Sequence, residues 1–223
     1  MDPEILKFKI LVLGDSGTGK TSIVRRIIRD EFSLVHSATV GVDFSVKVLN
    51  IAQGLEIRLQ LWDLAGQDRF NHLSRLYYKQ ASGVLLVCDE TKPDSLDSIV
   101  KWKGELDARL QYKIPAVLLV NKTDLIDDED EGFSEDDLEK ICSRLRIGSW
   151  SRTSAKDGFG VNECIKALVW DILSDKESKT PDPLTKTKDV FDWDDDCSSS
   201  IIRLGRQDLD LANSRGRARK CCH

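Results

Sequence analysis

The sequence lacks several features that would assign it to a well-defined class of protein. Its longest apolar run, IPAVLLV, is far shorter than the roughly 20 residues that a membrane-spanning helix needs. The first residues, MDPEILKFK, lack the apolar stretch of a signal peptide, so we expect no secretory signal. The formal net charge is −5, whereas a dedicated nucleic-acid-binding protein presents a basic surface, so we expect no nucleic-acid partner.

The six cysteines do not form a recognisable metal or disulfide pattern. They include no CxxC pair, and no histidine stands at zinc-ligand spacing from them. Cys88, Cys142 and Cys164 fall inside hydrophobic patterns, which is typical of the reduced core thiols of a cytosolic protein. We therefore expect the fold to depend on a hydrophobic core, for which a content of 40% hydrophobic residues is sufficient.

Short apolar runs alternate along the chain with amphipathic stretches. Continuous apolar runs are typical of strands buried on both faces of a parallel sheet, and they occupy 7–14, 83–89 and 115–121. The segments 42–50 and 55–63 are typical of an antiparallel hairpin. Helical periodicity covers 20–30, 95–110, 134–146 and 161–173. This order predicts a doubly wound α/β fold, with a mostly parallel six-stranded sheet, one antiparallel edge hairpin, and helices on both faces.

The composition of the chain changes after about Ser174. The residues that follow are polar with two prolines, then acidic, and finally basic. A segment of this kind buries too little apolar surface to offset the entropy of ordering it. We predict two parts, a folded domain over residues 1–174 and a flexible, mostly disordered tail over residues 175–223.

The segment GDSGTGKT, residues 14–21, lies between the first predicted strand and the first predicted helix. It fits the phosphate-binding pattern G-x-x-x-x-G-K-[ST] in the context that this pattern requires. Its glycines allow backbone N–H groups to point at phosphate oxygens, and the helix N-terminus adds partial positive charge. Lys20 brings a cation to the β- and γ-phosphates, and the Thr21 hydroxyl is a hard oxygen ligand for Mg²⁺. The motif predicts a nucleoside triphosphate site without specifying the base.

Two further polar segments lie at the carboxyl ends of neighbouring predicted strands. They are NKTD at 121–124 and TSAK at 153–156. Ligands of open α/β sheets bind at the carboxyl ends of the strands, so both segments belong at the phosphate-loop edge. Guanine presents two donors, N1–H and its 2-amino group, to the acceptor-only carboxylate of Asp124. Adenine presents an acceptor at N1, which would leave that carboxylate unpaired. The sequence therefore predicts that the ligand is GTP or GDP.

In this order and spacing, GDSGTGKT, DLAGQ, NKTD and SAK resemble the motifs of the Ras superfamily of small GTPases. By this resemblance, Asn121 and Asp124 hold the base and Lys122 packs along its face. The resemblance also implies that the Ala155 N–H caps the guanine O6 and that Lys156 lies over the ring.

The nucleotide-binding set that the resemblance implies includes Phe32, which packs edge-on against the base. The full set is Ser16, Gly17, Thr18, Gly19, Lys20, Thr21, Ser22, Phe32, Thr39, Gly66, Asn121, Lys122, Asp124, Ser154, Ala155 and Lys156.

The resemblance also assigns a metal site and two switch segments. Thr39 is implied to meet Mg²⁺ and the γ-phosphate only in the triphosphate state, and Asp63 to hold Mg²⁺ through a water, so the metal ligands are Thr21, Thr39 and Asp63. Gly66 would bring its N–H to the γ-phosphate, because it has no side chain to block the approach. Gln67 is the catalytic residue and would orient the attacking water. Loss of the γ-phosphate would then release both segments.

The motifs contain no arginine placed to stabilise the transition state, so we expect slow intrinsic hydrolysis. A GTPase-activating protein that supplies such a charge in trans would raise the rate by roughly 10³–10⁵. The resemblance further implies a guanine nucleotide exchange factor, a GDP-dissociation inhibitor, a prenylation escort protein and effectors as partners.

Five segments follow the diagnostic sequences of the Rab family: VGVDF, RLQLW, RFNHLS, YYKQA and LLVCDET. The resemblance covers about residues 5–174, and WKGELDAR, IPAVLLVNK and the segment around Trp150 are most similar to the Rab branch associated with lysosome-related organelles and mitochondria. Phe44, Trp62 and Tyr77 match the aromatic triad through which Rab proteins meet effectors. Aromatic anchors dominate interface energies, although without the resemblance we would expect all three side chains in the core.

The chain ends with RGRARKCCH. A C-a-a-X box would need a cysteine where Lys220 stands, so that signal is absent. The ending resembles that of Rab proteins that receive two geranylgeranyl groups, here on Cys221 and Cys222. Two lipid chains give a stable anchor where one is marginal, and the nearby cations favour an anionic leaflet. We expect the protein on the cytoplasmic face of intracellular membranes (endosomal, lysosome-related or vesicular), cycling with the cytosol.

Three functions are compatible with these motifs. The leading one is a Rab-like GTP/GDP switch that binds GTP with Mg²⁺, hydrolyses it slowly and recruits effectors to membranes in vesicle trafficking. A P-loop kinase or ATPase would share the phosphate loop, but NKTD and SAK argue against it. A scaffold that binds GTP with little turnover is the third.

Overall fold

The structure is a computed structural model that describes residues 4–35, 38–52, 55–66, 74–127, 132–177 and 202–203. Over these ranges, strands and helices alternate along the chain as the apolar runs predict. None of the helices in these ranges combines the length and the apolar character needed to cross a membrane.

Five strands form at the predicted segments: β1 Glu4–Leu13, β2 Val42–Ala52, β3 Leu55–Leu64, β4 Gly83–Asp89 and β5 Ala116–Asn121. The sixth strand, β6 Ser149–Thr153, ends where the TSAK segment begins, as that segment implied. A further short strand, β7 Ile202–Arg203, falls in the stretch for which the sequence predicts mostly disorder. It pairs antiparallel with β6, so that Ser149 lies opposite Arg203 and Trp150 opposite Ile202. The edge of β6 offers unpaired backbone groups, which explains how so short a segment can pair there.

The helices are α1 Lys20–Arg29, α2 Ser74–Tyr78, α3 Pro93–Arg109, α4 Glu135–Leu145 and α5 Val161–Glu177. The Ser134 hydroxyl accepts a 3.1 Å hydrogen bond from the backbone N–H of Asp137 and so caps the start of α4. Helix α5 continues past the predicted boundary at Ser174 to Glu177, while the short α2 has no counterpart in the sequence-based prediction.

The strands form one sheet in the order β2-β3-β1-β4-β5-β6-β7. Strand β1 pairs parallel with β3 and β4, and the pairs β4–β5 and β5–β6 are also parallel. The hairpin of β2 and β3 is antiparallel and forms one edge. The predicted doubly wound fold is therefore confirmed, and the short β7 extends the opposite edge.

Two hydrophobic layers cover the two faces of the sheet. Alternate residues of the central strands enter different layers, as with Ile10 and Leu11 of β1. The layer that contains Ile10 also includes residues of α1 and α5, whereas the layer that contains Leu11 includes residues of α3 and α4. Since both faces are buried, the central strands need apolar residues at successive positions, which explains their continuous runs.

The parallel register brings polar segments of distant sequence to one edge of the sheet. The phosphate loop follows β1, while Asp89, Asn121 and Thr153 end β4, β5 and β6. Asp89 lies opposite Asn121 in the β4–β5 register, and Asn121 lies opposite Thr153 in the β5–β6 register. This edge is the predicted ligand position for an open α/β sheet.

Candidate nucleotide-binding site

A cleft of about 460 Å³ lies at this edge of the sheet. Fourteen of the predicted nucleotide-binding residues line it: Ser16, Gly17, Gly19, Lys20, Thr21, Ser22, Phe32, Thr39, Gly66, Asn121, Lys122, Asp124, Ala155 and Lys156. Leu34, Ala38 and Leu125 also line it and were not predicted. Thr18 and Ser154 are buried and lie behind the lining, where they hold the loops by hydrogen bonds.

Two side chains of the phosphate-loop segment form hydrogen bonds with the backbone of the same segment. The Thr18 hydroxyl donates a 3.0 Å hydrogen bond to the carbonyl oxygen of Asp15, and Lys20 Nζ donates to the same oxygen at 2.8 Å. Gly19 has a φ of 94°, and a Cβ there would overlap the side-chain amide of Asn121. The loop therefore requires glycine at this position.

Burial lowers the pKa of Lys20 to about 8, although the nearby Asp63 acts in the opposite direction. Desolvation penalises an ammonium group, and a closely placed anion offsets that penalty. Lys20 opens α1, where backbone N–H groups and the helix dipole also favour negative charge. This end of the cleft is suited to the phosphates of a nucleotide.

Three side-chain oxygens meet beside Lys20. The hydroxyl oxygens of Thr21 and Thr39 are 2.7 Å apart, and the Thr21 hydroxyl donates to Asp63 Oδ2. Asp63 is buried, and its Oδ1 has no hydrogen-bond partner among the described residues. Burial raises the pKa of Asp63, while the hydrogen bond from Thr21 and the charge of Lys20 oppose the rise. Two hydroxyls and a carboxylate are hard oxygen donors that suit Mg²⁺, and an orphaned carboxylate oxygen is accounted for by a cation or its bound water.

Asn121 joins the phosphate loop to the TSAK segment. Its Nδ2 donates a 2.8 Å hydrogen bond to the carbonyl oxygen of Thr18. Its Oδ1 accepts from the backbone N–H of Ala155 at 3.1 Å. A single buried side chain thus sets the position of the two loops that would hold the opposite ends of a nucleotide.

Asp124 is held in place by the TSAK segment. Ser154 Oγ donates a 2.7 Å hydrogen bond to Asp124 Oδ1, and Lys156 Nζ lies 3.5 Å from Asp124 Oδ2. Lys122 Nζ lies 2.7 Å from Asp89 Oδ2, a partner that the sequence-based prediction did not include. Asp89 could have been suspected from its place at the end of β4, since strand ends of this sheet edge carry functional residues.

The three predicted effector-binding aromatics form one cluster on the β2–β3 hairpin and α2. The rings of Phe44 and Trp62 meet edge to face with centroids 5.3 Å apart, and those of Trp62 and Tyr77 are 6.1 Å apart. Lys9 Nζ lies 4.1 Å from the Trp62 ring centroid. Phe44 is 48% exposed, and the other two rings are half-buried. The cluster therefore presents an aromatic edge to solvent instead of joining the core completely.

Three predicted functional residues lie outside the described residues: the catalytic Gln67 and the lipidated Cys221 and Cys222. Their roles stay predictions. The other predicted residues line the cleft, belong to the oxygen group of Thr21, Thr39 and Asp63, or form the aromatic cluster, except that Thr18 and Ser154 lie behind the lining.

Comparison with known proteins assigns the chain to a family. A Ras family profile matches residues 9–174. The chain belongs to the Ras family and, within it, to the Rab GTPases. It is 42% identical over 175 residues to the Ras-related protein Rab-32 of Sus scrofa, with 77% of the chain and 76% of that protein covered.

Two further relatives support the same assignment. Rab-32A of Dictyostelium discoideum is 42% identical over 173 residues, which cover 74% of the chain and 78% of the relative. Rab-7L1 of Homo sapiens is 39% identical over 166 residues, which cover 73% of the chain and 80% of the relative. The predicted Rab assignment, and the branch that the sequence segments indicated, are confirmed.

Membership of the family establishes the general activity. The chain is a GTPase that binds GTP and GDP with Mg²⁺ and acts as a switch in membrane trafficking. Rab proteins work with exchange factors, activating proteins, GDP-dissociation inhibitors and effectors, and they are membrane-associated. The alternative of a P-loop kinase or ATPase is not favoured.

Proposed function

We propose that the cleft binds guanine nucleotide with its phosphates at Lys20 and its base between Asp124 and Lys156. The observation that supports this orientation most directly is the double hydrogen bond of Asn121, which spaces the phosphate loop and the TSAK segment. Asp124 offers an acceptor-only carboxylate to the two donors of guanine, and Phe32 lines the same cleft.

We further propose that Thr21, Thr39 and Asp63 hold the magnesium ion. When bound, Mg²⁺ supplies positive charge that stabilises the charge developing on the phosphate oxygens during hydrolysis. Lys20 stabilises the β- and γ-phosphates, and Gln67 orients the water that attacks the γ-phosphorus. The products are GDP and inorganic phosphate, and their formation removes the group that Thr39 and the Gly66 N–H hold.

The output of the switch is proposed to be the aromatic cluster of Phe44, Trp62 and Tyr77. Trp62 and Asp63 are consecutive in β3, so the cluster is connected directly to the metal site. Effectors would bind this surface in the GTP form. The specific exchange factor, activating protein and effectors would select the protein through the segments that flank the cleft.

The proposed organisation is a GTPase domain over residues 1–174 and a hypervariable tail over residues 175–223, with geranylgeranyl groups on Cys221 and Cys222. A prenylation escort protein would deliver the chain for modification, and a GDP-dissociation inhibitor would extract it. The protein would then act on the cytoplasmic face of endosomal, lysosome-related or vesicular membranes. Replacing both cysteines with serine should release the protein to the cytosol, as measured by fractionation of cells that express it.

The nucleotide assignment is tested with fluorescent GDP and ADP analogues. We expect the GDP analogue to bind at least about 10⁴-fold more tightly, because ADP leaves the Asp124 carboxylate unpaired. Asp124→Asn should reduce this preference, since an amide replaces one acceptor with a donor. A preference of the wild type for ADP would contradict the proposal.

Single-turnover hydrolysis of GTP tests the catalytic assignment and separates a switch from a scaffold. Gln67→Leu should slow phosphate release and leave GDP affinity unchanged, whereas Thr21→Asn should weaken Mg²⁺ binding and favour the GDP or empty form. Equal turnover of the wild type and Gln67→Leu would remove Gln67 from the mechanism. No phosphate release from the wild type, even with an activating protein, would indicate a scaffold.

A further inference from the structure

Arg26 of α1 connects its helix to the TSAK segment across the back of the cleft. Its Nε donates a 3.0 Å hydrogen bond to the carbonyl oxygen of Ala155, and its NH2 nitrogen donates to the carbonyl oxygen of Lys156 at 2.5 Å. The side chain is only 14% exposed. The third nitrogen, NH1, donates to the backbone oxygen of Asp30 at 2.8 Å, at the end of α1. All three guanidinium nitrogens are therefore engaged, two of them with a single loop.

The two loop acceptors lie on either side of one residue. The carbonyl of Ala155 belongs to the peptide group before the Lys156 Cα, and the carbonyl of Lys156 belongs to the peptide group after it. A peptide group is planar, so fixing both groups fixes the two backbone dihedral angles of Lys156. The guanidinium fork, which is itself planar and rigid, is suited to hold two acceptors at once.

The fixed backbone of Lys156 determines where its side chain lies in the cleft. The backbone angles set the direction in which that side chain leaves the loop, and its Nζ lies 3.5 Å from Asp124 Oδ2. The backbone N–H of Ala155 is held from the other side by Asn121. The loop that faces the base is thus clamped between Asn121 of β5 and Arg26 of α1.

We propose that Arg26 is a positioning residue that sets the residence time of guanine nucleotide by fixing the backbone of Lys156. The inference rests on the proposed orientation of the base between Asp124 and Lys156. Arg26 lies on the helix that Lys20 and Thr21 begin, so it also fixes the base loop relative to the phosphate-binding end of the same helix.

A simpler role for Arg26 would be to stabilise the end of α1. Its NH1 lies 2.9 Å from Asp30 Oδ1, but the Asp30 side chain is 86% exposed, and ion pairs of this kind contribute little. Asp30→Asn removes the carboxylate charge and keeps the backbone carbonyl, and asparagine tolerates the left-handed conformation of this position (φ 56°). This variant therefore separates the ion pair from the contacts with the loop.

The test is the rate of release of a fluorescent GDP analogue from the full chain in the presence of Mg²⁺. Arg26→Lys keeps the charge but replaces the rigid planar fork with a single ammonium nitrogen, which cannot occupy the separate positions of Nε and NH2. Arg26→Gln removes the charge as well. The loss of one charge-assisted hydrogen bond corresponds to about a tenfold change in a rate or equilibrium constant. We therefore expect Arg26→Lys to release GDP about tenfold faster than the wild type. Arg26→Gln should release GDP at least as fast as Arg26→Lys. Asp30→Asn and Arg29→Gln, which alter neighbouring exposed charges, should release GDP at the wild-type rate.

Two further measurements distinguish positioning from general damage. A loss at the base should weaken GDP and GTP binding by the same factor, because both carry the same base, and single-turnover hydrolysis at saturating GTP should stay at the wild-type rate. A merely structural role would lower the hydrolysis rate and the melting temperature of the nucleotide-saturated protein together.

The inference would be overturned if both Arg26→Lys and Arg26→Gln released GDP at a rate within twofold of the wild type. It would also be overturned if Arg29→Gln or Asp30→Asn accelerated GDP release as much as the Arg26 variants do. If Arg26→Gln does not fold, Arg26→Lys decides the matter, because it keeps the charge and most of the side chain. A wild-type chain that does not bind GDP would contradict the proposed function itself, which is a separate outcome from normal binding with unaltered release in the variants.

Discussion

The indole nitrogen of Trp102 donates a 2.9 Å hydrogen bond to Asp15 Oδ1 and so ties α3 to the phosphate loop. The backbone oxygen of the same aspartate accepts the hydrogen bond from Lys20 Nζ. Trp102 is buried, so this bond connects the core layer beneath α3 to the residue that holds Lys20 in position.

Trp102→Phe should lower the free energy of unfolding by about 1–3 kcal/mol, because it removes a buried hydrogen bond to a charged group while keeping an aromatic ring. Urea denaturation of the GDP-bound protein measures the change. Trp150→Phe is the matched control: Trp150 is equally buried, but its Nε1 has no hydrogen-bond partner among the described residues. An equal loss in both variants would show that only ring volume matters.

Gly66→Ala should impair the GTP form selectively. A Cβ at Gly66 would overlap the backbone at Ser16, so the segment would have to move away from the phosphate loop. We expect single-turnover GTP hydrolysis to fall at least about tenfold, the effect expected for a displaced catalytic segment, with GDP affinity retained. Gly104→Ala is the control, since its Cβ would meet no atom within 4 Å. Gly104 lies within α3, so this change should be neutral or stabilising.

The three core thiols should resist alkylation in the folded protein. Cys88, Cys142 and Cys164 are fully buried, and burial raises the pKa of each, that of Cys142 to about 12. The thiolate is the reactive form, so raising the pH from 7 to 9 should not label them. Peptide mass spectrometry after maleimide treatment, with and without urea, provides the measurement. Labelling of Cys142 faster than global unfolding would contradict the prediction.

The Lys122–Asp89 ion pair should contribute a pH-dependent part of the stability. Burial alone would raise the pKa of Asp89, but hydrogen bonds from Lys122 and Thr91 outweigh it and hold the pKa below its usual value. A carboxyl group with a depressed pKa stabilises the fold above the pKa of its unfolded state, and the contribution is lost as the pH falls through the folded-state pKa. Asp89→Asn should therefore be less stable than the wild type at pH 7.

Urea denaturation over a series of pH values measures this effect. The difference between the wild type and Asp89→Asn should stay constant between pH 7 and about 5 and should narrow below about 4, near the ordinary aspartate pKa. A constant difference at every pH would mean that ionisation of Asp89 does not contribute to stability. No difference at any pH would mean that the amide replaces the contacts of the carboxylate.

The sequence-based prediction succeeded where the signal is contiguous. The position of GDSGTGKT between β1 and α1 was predicted because the motif occupies one short segment. The continuous apolar runs predicted β4 and β5 because both faces of these strands are buried. Helix α2 was missed, since five residues are too few to show a helical period. The bounds of the longer helices differed by a few residues, as is usual at frayed ends.

Contacts between distant segments could not be predicted in the same way. Arg26 is one of several charged residues on α1, and only the packing of α1 beside the TSAK segment gives it two carbonyl partners. The sequence pattern predicts correctly that Trp102 is a core residue. Its hydrogen bond to Asp15 could not be predicted, because it depends on the folded position of α3. The pairing of β7 likewise depends on the free edge of β6 and not on any local pattern.

The positions of Trp62 and Asp63 have a consequence for how partners and nucleotide influence each other. Successive side chains of a strand point to opposite faces, so these neighbours place the aromatic cluster and the buried carboxylate of Asp63, the proposed metal ligand, on opposite faces of β3. The hairpin register repeats this arrangement, with Phe44 opposite Trp62 and Asp43 opposite Asp63. Thermodynamic linkage then makes the communication reciprocal. An effector that binds the aromatic cluster tenfold more tightly in one nucleotide state must raise the affinity for that nucleotide, relative to the other, by the same factor.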